Sequence, residues 1–323
     1  MFKNFKRSLK RAIIFILVIG IISVIVITAT NLFGDKIIKA KTTRILIDAD
    51  SGNEIDDLFA ISRALIAPEL ELVGLTSAHW EFHPEAGDSS MEISQELNEK
   101  LLNYTENSAI PHPRGALGML RFWGDPVPNS SKAAELIIAK AKEVSGKGKL
   151  NVVTLGAVTN LASAIIMDPE IIPKIRVYSM ALQYDPQGRI WNKNEFNVKN
   201  DLDAMDLLLN TEGLEMHIMT ATTSSKYTFT KEETRKYFYG KGQPWEFLHE
   251  KWEQRFPRNE TWIMRDVALI EAIISPDLVK SEQVLTPPEN LQRTVNVYTA
   301  LNKEMMLADY WSAVNKNIRK KAK

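Results

Sequence analysis

Five acidic side chains crowd into the ten positions that follow a short apolar run near residue 45. They are Asp48, Asp50, Glu54, Asp56 and Asp57. The apolar run at 45–47 predicts a buried strand, and the apolar spacing after position 57 predicts a helix. The carboxylates therefore cluster where a strand ends and a helix begins, which is where open α/β sheets place their ligand sites.

Helix capping is the simpler explanation of this acidic stretch, because acidic residues are favoured at a helix start. Capping accounts for one or two carboxylates and leaves the others unexplained. Carboxylates this close repel one another, so a cation or a shared proton is needed to hold them. Hard oxygen ligands on a flexible loop suit Ca²⁺ better than the tight octahedron of Mg²⁺. The stretch therefore predicts a calcium site.

The chain after this stretch alternates apolar runs with helical patterns. Further strands are predicted at 70–77, 150–155, 175–182, 214–220 and 292–299, and the basic tail at 316–323 is expected to fray. Strands joined through helices form parallel sheets. The 323 residues, 45% of them hydrophobic, supply enough core for a large domain. The sequence thus predicts one α/β, Rossmann-like domain with a mostly parallel sheet over residues 44–323.

The first 43 residues have a different character. A basic flank at 1–11 precedes an uncharged run at 12–34, which is long enough to span a membrane as a helix. The basic flank is expected to stay in the cytoplasm. A retained signal anchor is favoured over a cleaved signal peptide, because no small-x-small cleavage site precedes the domain. We therefore predict a single-pass protein of the cytoplasmic membrane, with a stalk at 35–43 and the domain outside the cytoplasm. Cleavage would instead leave a secreted or periplasmic protein.

Composition excludes some function classes. A formal net charge of +0 gives no sign of nucleic-acid binding. The absence of cysteine excludes disulfides and Cys-based zinc sites.

Four motifs carry a resemblance to a known family. They are D-A-D-S-G-N-E-I-D-D at 48–57, G-A-V-T-N-L at 156–161, E-F-N-V at 195–198 and R-D-V-A at 265–268. In this order they resemble the inosine-uridine-preferring nucleoside hydrolases, whose first motif is D-x-D-P-G-x-D-D. Ser51 stands in place of the Pro, and two extra residues precede the final pair. Aligning Asp56 and Asp57 with that pair starts the following helix in the right place.

The resemblance implies an activity: Ca²⁺-dependent hydrolysis of the N-glycosidic bond of ribonucleosides. It implies that Asp50, Asp57, Asp266 and the carbonyl of Leu155 hold the ion, with Asp50 also acting as general base. It assigns the ribose hydroxyls to Asp56, Glu195 and Asn197, with Asn192 or Asn194 as a further contact. It also allows a homo-oligomer. Aromatic faces stack on nucleobases, so Trp80, Phe82, Trp191 and Trp262 are candidates to cover the base.

Arg265 is the main departure from the family pattern, because it stands where the family places the histidine that protonates the departing base. A guanidinium does not give up its proton in proteins, so Arg265 is left to stabilise the departing base electrostatically. The loop at 78–83 offers His79 and His83 as substitute acids, since an imidazole can hold and release a proton near neutrality. Two other functions stay open: a non-catalytic nucleoside or sugar sensor, and a hydrolase of another ribosyl or glycosyl bond.

Overall fold

The structure, a computed structural model, describes residues 42–87, 90–123 and 125–321. In chain order the strands are β1 (Thr43–Ala49), β2 (Leu70–Ser77), β3 (Arg121–Trp123), β4 (Asp125–Val127), β5 (Leu150–Thr154), β6 (Ile175–Met180), β7 (Gln183–Asp185), β8 (Ile190–Asn192), β9 (Glu215–Met219), β10 (Thr228–Thr230), β11 (Thr261–Ile263), β12 (Val279–Leu285) and β13 (Thr294–Leu301). The α-helices are α1 (Asp56–Ile66), α2 (Ser90–Tyr104), α3 (Lys132–Lys142), α4 (Thr159–Met167), α5 (Phe196–Asn200), α6 (Leu202–Asn210), α7 (Ala221–Ser224), α8 (Lys231–Phe238), α9 (Trp245–Arg255), α10 (Arg265–Ile274) and α11 (Lys303–Lys321). Two 3₁₀ turns cover Pro169–Lys174 and Pro276–Leu278.

Seven strands form the central sheet, in the order β12-β13-β9-β6-β5-β1-β2. Every neighbouring pair is parallel except β12 with β13, which is antiparallel. The prediction of an α/β fold with a mostly parallel sheet is confirmed. The sequence pattern missed β12, since most of this edge strand is exposed and lacks an apolar face. It also misjudged the basic tail, which continues α11 through Lys321.

Helices cover both faces of the sheet, and β1 shows how the sequence divides between them. Ile45 and Ile47 point into one apolar core, which also contains residues of α1, α9, α10 and α11. Leu46, between them, points into the second core with residues of α3, α4 and α6. All three side chains are fully buried. A strand buried on both faces is expected to be apolar throughout rather than alternating.

The parallel strands end on the same edge of the sheet, so the segments after β1, β5, β6 and β9 lie near one another. Within the described ranges, no helix is long and apolar enough to cross a membrane. The predicted anchor at 12–34, its basic flank at 1–11 and the stalk up to residue 41 lie outside the described residues.

Candidate active site

Two helix starts and one strand end bring four aspartates together. Asp56 and Asp57 open α1, Asp266 lies in the first turn of α10, and Asp50 directly follows β1. Carboxylate oxygens of Asp56, Asp57 and Asp266 lie within 4.8 Å of one another. Asp57 is also within hydrogen-bonding reach of Asp50. Each helix start contributes partial positive charge, which favours carboxylates here.

Asp56 links the two helices. Its Oδ2 accepts the backbone N–H of Asp266 at 3.2 Å. Met264, which precedes α10, makes no side-chain capping bond, so a side chain from α1 satisfies a free N–H at the start of α10. The sequence assigned Asp56 to the ribose, and the structure shows that this carboxylate also ties α1 to α10.

Burial leaves these carboxylates poorly compensated. Asp50, Asp57 and Asp266 are no more than 5% exposed. Burial, reinforced by repulsion from neighbouring carboxylates, raises the pKa of all three well above the ordinary value. Asp50 Oδ2 and Asp57 Oδ1 are buried without a hydrogen-bond partner. Buried polar atoms without partners are unfavourable, and a cation bound among these oxygens would relieve both the repulsion and the missing contacts.

The turn after β5 closes one side of the cluster. A Cβ at Gly156 would lie 2.7 Å from both Cβ and Cγ of Asp50, so only glycine allows this approach. The carbonyl of Leu155, just before it, accepts the Asn197 Nδ2 at 2.7 Å. A carbonyl oxygen has two lone pairs. The bond therefore leaves Leu155 able to serve as the ligand that the sequence predicts.

A pocket of about 200 Å³ opens over the aspartates. Its acidic lining consists of Asp50, Glu54, Asp56, Asp57, Glu195 and Asp266. Leu155, Asn194, Phe196, Asn197 and Arg265 are among the other lining residues. The structure thus brings the predicted metal ligands and most of the predicted ribose contacts into one cavity.

Glu195 and Asn197 line the same pocket as the aspartates. The Glu195 carboxylate accepts the backbone N–H groups of Asn197 and Val198, and so caps α5. The Asn197 Nδ2 donates to the carbonyls of Leu155 and Met180 at 2.7 and 2.9 Å, which leaves its Oδ1 to accept a bond. Both side chains are less than a tenth exposed and hold defined orientations in the pocket.

A buried polar network lies behind the aspartates. Asp48 Oδ1 accepts Thr76 Oγ1 at 2.7 Å and Asn160 Nδ2 at 2.9 Å. Burial raises the pKa of Asp48 to about 6. Neither Thr159 nor Asn160 caps α4, because Val158 precedes the helix and no side chain caps it. These two polar side chains instead join distant segments: Thr159 Oγ1 donates to Asp201 Oδ2, and Asn160 to Asp48.

The two candidate acids lie outside the pocket lining. His79 is 1% exposed, and its Nε2 hydrogen-bonds Thr159 Oγ1 at 2.8 Å. Burial lowers the pKa of His79 to about 4, so its imidazole is uncharged near neutrality. The ring centre of His83 lies 6.5 Å from that of Phe196, which lines the pocket.

The candidate base-covering aromatics also lie outside the lining. Trp80 is buried beneath Gly52 and donates its Nε1–H to Ser94, whereas Phe82 is 59% exposed. Trp191 donates to the carbonyl of Leu285 at 2.9 Å. Trp262 packs on Phe256, with ring centres 3.8 Å apart. Asn192 accepts the backbone N–H of Asn194, and of the two only Asn194 lines the pocket.

Sequence reasoning gave no role to Glu54, which the structure places in the pocket. Its Oε2 lies 3.6 Å from Nη1 of Arg265, and both side chains are about one-third exposed. Burial of the carboxyl group and repulsion by Asp56 raise the pKa of Glu54 to about 7, against the opposing effect of Arg265. The one available signal was its position in the acidic stretch.

Comparison with known proteins gives a consistent result. The probable uridine nucleosidase 1 of Oryza sativa subsp. japonica is 26% identical over 223 residues, which are 64% of this chain and 66% of the relative. Uridine nucleosidase 1 of Arabidopsis thaliana is 23% identical over 262 residues, 74% of this chain and 76% of the relative. The chain thus spans about two-thirds or more of these curated relatives. An inosine-guanosine nucleoside hydrolase structure shares the fold with a TM-score of 0.66 and 21% identity, over 84% of this chain and 98% of its own.

The family description that matches is the inosine-uridine preferring nucleoside hydrolase, over residues 45–322. That range includes all four motifs, the acidic pocket and the seven-stranded sheet except for the first two residues of β1. The predicted class, an N-glycosyl hydrolase of the nucleosidase type, is confirmed at the level of the family. The chain belongs to the inosine-uridine preferring nucleoside hydrolase family.

Proposed function

We propose that this protein hydrolyses the N-glycosidic bond of ribonucleosides in a Ca²⁺-dependent reaction that releases the base and ribose. The observation that carries the proposal is the set of buried carboxylates with unpartnered oxygens at the floor of a pocket whose wall holds Glu195 and Asn197. This arrangement offers a cation site and polar groups suited to a diol in one cavity.

The donor set fits the ion. Asp50, Asp57, Asp266 and the Leu155 carbonyl are hard oxygen donors, which Ca²⁺ prefers. A bound Ca²⁺ would neutralise the carboxylates and lower the pKa of a water molecule in the pocket. Asp50 is the general base that takes the proton of the attacking water. The water oxygen bonds to the anomeric carbon as the bond from that carbon to the base nitrogen breaks, through an oxocarbenium-like state.

The remaining pocket residues bind the substrate. Asp56, Glu195 and Asn197 hold the ribose hydroxyls, and groups placed to bond a hydroxyl reject substrates that lack it. The buried part of the pocket takes the sugar, which directs the base toward the mouth, where the Arg265 side chain is about one-third exposed. The guanidinium stabilises the negative charge that develops on the departing base.

A calcium-supplemented hydrolysis screen tests the activity. The full chain is incubated with uridine, inosine and p-nitrophenyl riboside, with and without a chelator, and free base and ribose are measured. Turnover that stops with chelation supports the proposal. Nucleoside binding without turnover would favour the sensor, and turnover of p-nitrophenyl riboside alone would favour another ribosyl bond.

The proton for the base is a separate question. His83 is the better placed of the two predicted histidines, because its ring contacts Phe196 at the pocket wall. A positioned acid contributes about 10²- to 10⁴-fold in rate. If His79 or His83 is that acid, its Ala variant slows hydrolysis of inosine far more than that of p-nitrophenyl riboside, whose leaving group departs without protonation. Small and equal effects on both substrates would remove the histidine from the reaction.

We also propose that residues 12–34 anchor the protein in the cytoplasmic membrane with the domain outside. The support is the length of the uncharged run and its basic flank. Mass spectrometry of the intact protein from the membrane fraction tests this proposal. A mature form that begins between residues 30 and 43 would show cleavage instead.

A further inference from the structure

Arg265 is distinctive because it is the only cationic side chain among the described residues that line the pocket, and no histidine is among them. Burial raises the pKa of three carboxyl groups, Glu54, Asp56 and Glu195, and the charge of Arg265 opposes that rise in each. Asp56 and Glu195 are buried in the pocket, whereas Glu54 is about one-third exposed at its mouth. The charge of Arg265 therefore acts on one carboxylate at the pocket mouth and on two that are buried in the pocket.

The loop that carries Glu54 is held firmly on both sides. Ser51 Oγ donates to Asn98 Oδ1 at 2.6 Å, and the Asn53 carbonyl accepts Arg255 Nη2 at 3.3 Å. Gly52 lies so close to Trp80 that a Cβ there would be 2.9 Å from the indole. Ile55, on the other side, is 2% exposed. The backbone thus presents the Glu54 side chain to the pocket mouth from a packed position.

We propose that Glu54 is a positioning residue that holds Arg265 at the pocket mouth, so that the pair serves bases departing with negative charge. The inference rests on the proposed function and extends it to the leaving group. Without Glu54, the other carboxylates on which the Arg265 charge acts are Asp56 and Glu195, which are buried in the pocket. A guanidinium drawn toward them would no longer lie beside the departing base.

Two substrates with different leaving groups distinguish this positioning role from a general loss of structure. The base of uridine departs with negative charge on a ring nitrogen, and that charge needs stabilisation. The p-nitrophenolate ion is a stable anion without such help. Removing one preorganised electrostatic donor costs about 10²- to 10³-fold in rate. We expect Arg265→Ala to lower kcat/KM for uridine about 10²-fold and Glu54→Ala to lower it about tenfold, with changes below about threefold for p-nitrophenyl riboside.

A double-variant cycle then tests whether Glu54 acts through Arg265. The combined Glu54→Ala/Arg265→Ala variant is expected to lose no more uridine activity than Arg265→Ala alone. Glu54→Gln keeps the size of the side chain and serves as the folding check, with melting temperature as its readout. Glu212→Gln is the matched control, because Glu212 is exposed outside the pocket lining.

Two results would overturn the positioning role alone: additive losses in the double variant, or equal losses on both substrates with Glu54→Ala. A parent protein that turns over p-nitrophenyl riboside and uridine establishes the proposed function before the variants are compared. A parent that turns over neither overturns the proposed function, and the positioning role falls with it.

Discussion

The helices α1 and α10 pack against each other, and their charged side chains are arranged differently at the two ends. At their N-terminal ends, Asp56, Asp57 and Asp266 face one another as like charges. In their last turns, Arg63 of α1 and Glu271 of α10 form an ion pair with Nε and Oε1 2.6 Å apart. Arg63 also reaches Asp309 of α11 at 3.2 Å.

Burial is similar at both ends, so burial does not explain the difference. Arg63 and Glu271 are 3% and 0% exposed, comparable with the aspartates. At the C-terminal ends each carboxylate contacts a cation, whereas at the N-terminal ends Arg265 is the one cationic side chain among the described residues that line a pocket with six carboxylates. A buried cluster that lacks its counter-charge is unfavourable by itself. The comparison teaches that the ion pair at the C-terminal ends is complete within the protein, whereas the carboxylates at the N-terminal ends are left for the cation proposed above.

The largest expected effect comes from breaking the acidic end. Asp57→Asn and Asp266→Asn should each abolish calcium binding and lower kcat/KM at least about 10³-fold, since a bound metal supplies several kcal/mol of charge stabilisation. Without calcium, neither variant should have a lower free energy of unfolding than the parent, because each removes one repelling charge. Calorimetry and denaturation in chelator measure the two quantities. Variants that bind calcium as tightly as the parent would show that the site lies elsewhere.

Breaking the paired end should affect stability instead. Arg63→Met leaves Glu271 buried without its partner and should lower the free energy of unfolding by about 3–5 kcal/mol. Arg63→Met/Glu271→Leu replaces both charges by apolar groups and should recover most of that loss. Urea denaturation of the single and double variants provides the measurement. A double variant as unstable as the single one would mean that the unpaired charge is not the cause.

His79 adds a third case to the comparison, a buried side chain that is uncharged near neutral pH. Its pKa is lowered by burial from 6.5 to about 4 in the folded protein. His79 therefore makes its full contribution to stability at pH values above 6.5, its pKa in the unfolded chain. That contribution is lost as the pH falls toward 4, its pKa in the folded protein. Between about pH 7 and about pH 5 the loss should be about 2 kcal/mol. His79→Gln should show a shallower fall in stability over this range, and an unchanged slope would contradict the assignment.

Much of the local structure was available from short stretches of sequence. The run at 45–47 and the carboxylates after it predicted the junction of β1 and α1, and residues 70–77 form the predicted strand. Ser131 caps α3 and Asp201 caps α6, each by accepting the backbone N–H three residues later. These features depend on periodicity and on side chains that bond backbone groups a few residues away, so the determining residues are neighbours in the chain.

The composition of the site depended on residues far apart in sequence. Asp56 meets the start of α10 across 210 positions, and Arg63 meets Glu271 across 208. The resemblance predicted the acidic ligands, but packing decided which aromatics were core, buried His79 and placed Glu54 against Arg265. The acidic stretch determined by itself that this protein needs a counter-charge after β1. Only the tertiary structure decided which distant side chains lie beside these carboxylates. The physical reason is that a local pattern determines the geometry of its own helix or strand, but not which other element packs against it.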